Sequence, residues 1–236
     1  MIIIYEGDPT LPGGLNEREK LAQNMKSGKI IHLFGSNLEI NKLPSNATQL
    51  PLGIHNKAAN FPLERPDSYL VKLAKSALPI RNRYCKILCD NMARQNVMPI
   101  PGYPWDRGQV VKILKKNKVC KVLKLRVSWE NYLNLKSLYA FEASPLGNGV
   151  DCYRTWEALA LGSIVIVPST FLDPLFQGLP VVKVKDWNQV TPQNLAKWLE
   201  EFAPTIDSKE VREKITHAYW QKKIDQVQKE YRQSLR

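Results

Sequence analysis

Short runs of apolar residues alternate with amphipathic segments along almost the whole chain, and this alternation limits the folds open to it. The apolar runs are rich in β-branched residues and end at turn-forming residues, as buried strands do, whereas the segments between them have helical spacing. Strands joined through helices by short loops form parallel sheets that are covered on both faces. The sequence therefore predicts an α/β fold, and right-handed crossovers would make it doubly wound.

The predicted elements fall into two groups that meet near residue 79. The first group, residues 1–79, has strands at 2–5, 29–34 and 49–54 and helices at 16–26 and 67–77. The second, residues 80–207, has strands at 87–89, 119–123, 138–143, 164–167 and 180–184 and helices at 105–117, 128–135, 151–161 and 191–202. Residues 208–236 follow, and they have one helical pattern as far as about residue 232. We therefore expect two domains and one long terminal helix.

The chain is strongly basic. Lys and Arg number 34 and Asp and Glu 22, which gives a formal net charge of +12. Such a balance favours an anionic partner: nucleic acid, a membrane surface or a phosphorylated small molecule. The charge is concentrated in residues 107–126, with eight basic residues and no acidic one, and in residues 209–236. A solvated helix face is the alternative explanation of both regions.

The cysteines and the lengths of the apolar runs indicate the cellular compartment in which the protein is expected. Cys85, Cys89, Cys120 and Cys152 form no C-x-x-C pair, and with three histidines they make no zinc pattern. Such thiols are typical of a reduced, cytoplasmic protein, and we expect Cys85 and Cys89 to lie in the core. The first residues have no basic segment before their short apolar run and no run reaches about 20 apolar residues, so we expect a soluble protein without a signal peptide or a membrane span.

Residues 144–162 are the most informative stretch, because they join the carboxyl end of a predicted strand to a helix. Ligands of open α/β sheets bind at this edge. Gly147 and Gly149 would let backbone N–H groups approach an anion closely. The helix begins near Asp151, so its N-terminal N–H groups point into the same space. The stretch therefore predicts an anion-binding loop.

Three charged residues of that helix follow one another at intervals of three, Asp151, Arg154 and Glu157, and lie roughly on one face. The planar fork of an arginine suits a diphosphate. A glutamate one turn further on suits the vicinal hydroxyls of a ribose, as the acidic residue of dinucleotide folds does. The alternative is a helix surface with Asp–Arg and Arg–Glu pairs.

This stretch and the segment after it resemble the exostosin-like glycosyltransferases, in particular compact soluble versions. The shared pattern is G-N-G-x-D-C-x-R-T-W-E-A-L-x-L-G, followed by x-D-P-L-x-x-G-L-P-V-V. It covers residues 141–187 clearly, and fainter similarity lies at 49–54. The resemblance implies a GT-B architecture of two Rossmann-like domains that face a cleft. Residues 1–79 would form the acceptor side and residues 80–207 would bind the nucleotide sugar, with the helix in 208–236 crossing back to the first domain.

The resemblance also implies roles for the donor-binding residues. Arg154 would meet the diphosphate and Glu157 the ribose. The residues that line the sugar and phosphate side would be Ser144, Gly147, Asn148, Gly149 and Asp151. Arg107, which begins the helix after the first strand of the second domain, is a second candidate for the phosphate charge and is otherwise a surface residue.

Inverting glycosyl transfer needs a general base that takes the proton of the acceptor hydroxyl, and it would come from the first domain. Asp8 is the candidate, because it follows the first strand in a Gly-Asp-Pro turn. Glu6 and His55 are rivals, and Asp8 is otherwise a turn residue.

The sequence thus predicts an enzyme, a hexosyl- or pentosyltransferase that moves a sugar from a nucleoside-diphosphate sugar to a hydroxyl of a glycan or glycoprotein. A UDP-sugar is expected, with UDP-xylose as one candidate; the residues do not specify the sugar. The chain contains no D-x-D triplet, which agrees with metal-independent transfer, so no metal or cofactor is expected. One alternative is a basic nucleic-acid-binding protein, although no motif of that class is present and no nucleic-acid partner is expected. The other is a module that binds a nucleotide sugar or glycan without turnover.

Overall fold

The computed structural model describes residues 1–5, 15–55, 66–89, 103–125 and 127–235. The strands are β1 (Ile2–Tyr5), β2 (His32–Gly35), β3 (Ala47–Gln49), β4 (Tyr84–Cys89), β5 (Cys120–Val122), β6 (Tyr139–Ala143), β7 (Ile164–Pro168) and β8 (Val181–Val184). The α-helices are α1 (Leu15–Lys26), α2 (Pro66–Ser76), α3 (Arg107–Lys116), α4 (Trp129–Lys136), α5 (Tyr153–Ala160), α6 (Pro192–Phe202), α7 (Lys209–Lys214) and α8 (His217–Ser234).

The strands form two parallel sheets, which confirms the predicted α/β class. The first has the order β1-β2-β3 and the second the order β5-β4-β6-β7-β8. In the second sheet the chain leaves β4 for β5 on one side and then continues with β6 on the other. Loops that leave two neighbouring strands in opposite directions open a crevice at the carboxyl edge, and this switch point lies between β4 and β6.

Alternate residues of the second sheet build two cores. On β7, Ile164 and Ile166 face the core that α3 and α6 cover, whereas Val165 and Val167 face a second core that α5 covers. All five residues of β7 are buried, as expected for a strand between two helical layers. The alternation therefore accounts for the position of α5 on the face opposite to α3.

Side-chain caps fix where several helices begin. Ser128 and Thr191, at which the predicted helices begin, accept hydrogen bonds from the backbone N–H of the third residue of α4 and α6. Ser208 caps α7 in the same way, but the terminal segment is not one helix. Thr216 has an extended backbone and its side chain accepts from the N–H of Tyr219, so it ends one helix and caps the next. The prediction of one continuous helix from 208 is therefore wrong at this point.

Two further expectations need correction. The apolar run at 49–54 is not a strand, because β3 ends at Gln49; its residues Leu50, Leu52 and Ile54 pack instead against the second core of the other sheet. Cys85 is exposed, whereas Cys89 is buried as predicted.

The first part of the chain packs directly on the second. Leu70 of α2 lies in one apolar cluster with Leu133 of α4 and Leu161, which follows α5. The side-chain amide of Gln49 donates to the carbonyl oxygen of Phe171 at 2.8 Å. The carboxyl ends of β2 and β3 are thereby held against the second sheet.

Candidate functional site

The loop between β6 and α5 lies at the switch point of the second sheet. Ser144 begins it: its N–H donates to the carbonyl oxygen of Ile166 at 2.8 Å, and its hydroxyl accepts from the hydroxyl of Thr155 at 2.9 Å. Thr155 belongs to the first turn of α5, which begins without a side-chain cap. The end of the strand and the N-terminus of the helix are therefore tied together around a short loop.

Arg107 reaches this loop from the other side of the switch point. Its Nε donates to the carbonyl oxygen of Leu146 at 2.9 Å. A Cβ on Gly147 would lie 2.6 Å from Nη2 of Arg107 and 3.1 Å from Sγ of Cys152, so a side chain at position 147 would displace one of them. Gly149 is buried and Asn148 is exposed. The loop is therefore glycine-rich where the guanidinium lies against it.

A phenol and a thiol border the same loop. Trp187 Nε1 donates to the hydroxyl of Tyr103 at 2.9 Å, and burial is the main cause that raises the pKa of Tyr103 to about 12. Burial also raises the pKa of the Cys152 thiol, against the opposing charges of Arg154 and Arg107. Both groups therefore remain protonated at neutral pH and can act as hydrogen-bond donors.

Asp151 joins the loop to the first sheet. Its Oδ2 accepts from the N–H of Leu52 and from Nε1 of Trp156, both at 2.7 Å, and its Oδ1 accepts from the N–H of Cys152 at 2.8 Å. Its own N–H donates to Oδ1 of Asn37 at 2.7 Å. Asn37 and Leu52 follow β2 and β3, so the loops at the carboxyl ends of both sheets meet at this buried carboxylate, which is 2% exposed.

Arg154 belongs to a buried group of charges, which we call the ion cluster: Lys136, Glu142 and Arg154. Arg154 Nε lies 3.4 Å from Oε1 of Glu142, and Lys136 Nζ lies 3.4 Å from its Oε2. Lys136 Nζ also donates to the carbonyl oxygen of Arg154 at 3.4 Å. The side chain of Arg154 is 14% exposed, that of Lys136 is 1% exposed and that of Glu142 is 0% exposed. The cluster thus holds two cations and one carboxylate beneath the start of α5.

Glu157 is buried one turn further along α5 and contacts α4. Trp129 Nε1 donates to Oε1 of Glu157 at 3.0 Å, and the indole packs on the ring of Tyr69 from α2. Since Asp151 and Glu157 are both buried, the solvated helix surface that the sequence left open is not what the structure shows.

The three candidates for the general base are placed differently. His55 makes an edge contact with the ring of Tyr153, at 5.0 Å between centroids, and so lies beside the first residue of α5. Asp8 and Glu6 lie outside the described residues.

Sequence reasoning missed two members of the ion cluster. Glu142 had a usable signal, because it is an acidic residue within the apolar run Tyr139–Ala143, and a charge in a buried strand needs a partner. Lys136 had none, since it ends a helix whose last turn commonly carries a basic residue. Its burial follows only from the packing of α4 on β6.

No protein-family model and no curated protein matches this chain. Across the described ranges, no helix is both long enough and apolar enough to cross a membrane. No cluster of three or more His, Cys, Asp or Glu side chains suited to a metal ion occurs among those same residues. The function is therefore inferred from the geometry of the loop and from the resemblance in sequence.

Proposed function

We propose that this chain is a metal-independent, inverting glycosyltransferase of the GT-B type that transfers a sugar from a UDP-sugar to a glycan hydroxyl. The observation that carries the proposal is the meeting of both sheets at Asp151. Parallel sheets bind ligands at their carboxyl edges, and here two such edges face each other across one loop. A donor held by one edge would be presented to an acceptor held by the other.

The cations around the loop suit a diphosphate. Arg107 lies on the glycine-rich loop, and Arg154 lies below the N-terminus of α5 with Lys136 beside it. When the bond between the sugar and the diphosphate breaks, its electron pair passes to the phosphate oxygen, where negative charge grows. Fixed cations and helix N–H groups that are already in place stabilise that charge without reorganisation.

The geometry refines the roles of the acidic residues. Asp151 accepts three hydrogen bonds from the protein itself, so in this proposal it positions the loop between the two sheets and does not hold the donor. Glu157 keeps the role of ribose acceptor, because a carboxylate can accept from more donors than the single indole of Trp129. The residues Ser144, Gly147, Asn148 and Gly149 shape the loop that the phosphates would approach.

The acceptor side supplies the general base. Asp8 is the proposed base, with Glu6 and His55 as its rivals. The base takes the proton of the acceptor hydroxyl as its oxygen forms the new bond to the anomeric carbon, and UDP leaves from the opposite side. His55 lies beside the first residue of α5, through its ring contact with Tyr153.

Donor binding can be tested by thermal unfolding in the presence of UDP and of several UDP-sugars. A ligand present at about 100 times its Kd should stabilise the fold by about 2.7 kcal/mol. Arg107→Ala should weaken this stabilisation without unfolding the protein. The second variant is Arg154→Lys, which keeps the positive charge beside Glu142 but removes the planar fork of the guanidinium.

Arg212→Ala is the matched control, since Arg212 is 65% exposed and pairs with Asp207 away from the loop. It should respond to UDP as the unaltered chain does. A complete lack of stabilisation by nucleoside diphosphates and their sugars would overturn the proposal. Stabilisation without transfer to any of a broad set of glycan acceptors would instead indicate a module that binds the donor without turnover.

A further inference from the structure

A second concentration of positive charge, on exposed side chains, lies along β5 at the end of the second sheet. We call this surface the basic edge, and all of its lysines are exposed: Lys86, Lys112, Lys115, Lys116, Lys118, Lys121 and Lys124. Apart from Lys86, these lysines belong to the chain segment 107–126, in which no acidic residue occurs. The fold therefore gathers in space the charge that the sequence already concentrates.

Helix α3 and the two outermost strands contribute to one continuous surface. Lys112, Lys115 and Lys116 are three and four residues apart and share the face of α3 opposite to its buried residues. Lys121 lies on the end strand, in register with Leu88 of β4. The pKa of the Cys120 thiol is lowered, first by a hydrogen bond with Cys89 and then by the charges of Lys115 and Lys86, so lysines of α3 and β4 converge on the same strand.

Helix α3 of the basic edge differs from other exposed helices because no acidic residues stand among its lysines. The ion pairs formed within the described residues lie elsewhere, for example between Arg212 and Asp207 and between Lys209 and Glu213. On α8 the lysines alternate with Asp225 and Glu230. The basic edge therefore offers its full positive charge to an external anion.

One apolar side chain projects from the same surface. Leu125 lies three residues beyond Val122, the end of β5, and is 78% exposed, more than any other large apolar side chain in the described part of the chain. In the sequence it stands between Lys124 and Arg126. An exposed leucine beside a lysine gains free energy if it enters an apolar medium while the lysine meets anions.

We propose that the basic edge docks the protein onto an anionic lipid surface. Lysines are compact point charges on flexible stems, which suits a layer of mobile headgroups. Recognition of single-stranded nucleic acid would instead require aromatic rings for base stacking, and residues 107–126 contain none. The exposed Leu125 would enter the interface between headgroups and acyl chains. This docking does not depend on the proposed transferase activity.

Protection of the end strand is the competing explanation, because lysines on an edge strand discourage pairing with another chain. It accounts for Lys121 on β5. It does not account for the lysines of α3, which lie on a helix, or for an exposed leucine, which would favour association.

Sedimentation with vesicles tests the proposal. The full chain is mixed with vesicles of phosphatidylcholine alone and with vesicles that also contain phosphatidylserine. We expect binding only to the second kind, and we expect it to weaken as salt is added. Each lysine near such a surface contributes about fivefold in affinity, so the triple variant Lys112→Gln, Lys115→Gln, Lys116→Gln should bind about 100-fold more weakly. Leu125→Ala should weaken binding roughly tenfold.

Matched controls remove equal charge and equal apolar surface elsewhere. They are the triple variant Lys209→Gln, Lys222→Gln, Lys229→Gln and the single variant Leu235→Ala, all at exposed positions. Both should bind vesicles as the unaltered chain does. Equal losses in the two triple variants, equal binding to both kinds of vesicle, or no binding to either would each overturn the proposal. Binding to an oligonucleotide that only the α3 variant loses, without vesicle binding, would reassign the basic edge to nucleic acid.

Discussion

The protein concentrates positive charge in two places whose surroundings are opposite. In the ion cluster, Lys136 is buried and Arg154 is partly buried around the carboxylate of Glu142. Along the basic edge, the lysines are exposed and residues 107–126, which supply all but one of them, contain no acid. Charges that are withdrawn from water interact strongly and are costly to leave unpaired, whereas exposed charges are screened by solvent and salt.

This contrast separates what holds the fold together from what is available to a partner. A substitution in the ion cluster should change the free energy of unfolding more than it changes the affinity for a ligand. A change along the basic edge should leave stability almost untouched and alter only interactions with other molecules. The same substitution, removal of one charge, therefore has different consequences in the two regions.

The largest expected effect is that of Glu142→Ala. It would leave two cations buried side by side without their carboxylate, and breaking a buried ion pair in this way typically costs about 3–5 kcal/mol. Urea unfolding measures the loss. Glu200→Ala is the control, because Glu200 pairs with Arg81 at the fully exposed surface and its removal should leave the midpoint unchanged. A Glu142→Ala protein as stable as the control would mean that the cluster is hydrated.

A smaller loss in the free energy of unfolding is expected for Asp151→Asn. The substitution keeps the shape but places an amide N–H among groups that all donate to Asp151, including the N–H of Leu52 and Nε1 of Trp156. A buried donor that loses its acceptor costs about 1–3 kcal/mol, so we expect a loss of about 3 kcal/mol in unfolding free energy. Asp207→Asn, in an exposed ion pair, is the control.

Hydrogen exchange would show where that stability is lost. Since Asp151 connects the loops after β2 and β3 to α5, the amide of Leu52 should exchange faster in Asp151→Asn. Unchanged protection of Leu52 would show that other contacts, such as the hydrogen bond from Gln49 to Phe171, hold the two sheets together without Asp151.

Most of the fold could be predicted because its signals are local. The apolar run that became β7 and the capping residues Ser128 and Thr191 each specify an element through nearby residues alone. The run at 50–54 was misread for an identifiable reason. Alternating apolar residues indicate contact with a core, and Leu50 and Leu52 pack, partly buried, against the second core without belonging to a strand.

The site could be predicted only in part, because its contacts are distant in sequence. The loop 144–152 and the helix after it were located correctly from the glycines and from the strand that precedes them. The partners of Asp151 were not, since Asn37 is 114 residues away and Leu52 is 99. Such pairings depend on how two sheets pack, and neither spacing nor composition carries that information in a single sequence.

The smallest effect concerns two thiols, one from each region. The pKa of Cys120 is lowered, chiefly by its hydrogen bond with Cys89 and further by Lys115 and Lys86, whereas burial raises the pKa of Cys152. A thiol reacts as its thiolate, and a lowered pKa makes that form abundant at lower pH. As the pH rises from neutral, Cys120 should therefore be alkylated by iodoacetamide before Cys152 and at a higher rate.

Mass spectrometry of the digested protein assigns each alkylated cysteine. The double variant Lys86→Gln, Lys115→Gln should slow the alkylation of Cys120 and leave Cys152 unchanged, because the lost charges lie on the basic edge alone. Adding salt should also slow the alkylation of Cys120, because those lysines are exposed and salt screens their charges. Two results would contradict this prediction: equal alkylation rates for Cys120 and Cys152, or a double variant in which neither rate falls. Either would mean that the lysines do not together lower the pKa of Cys120, and that the positive potential of the basic edge is weaker than its number of lysines suggests.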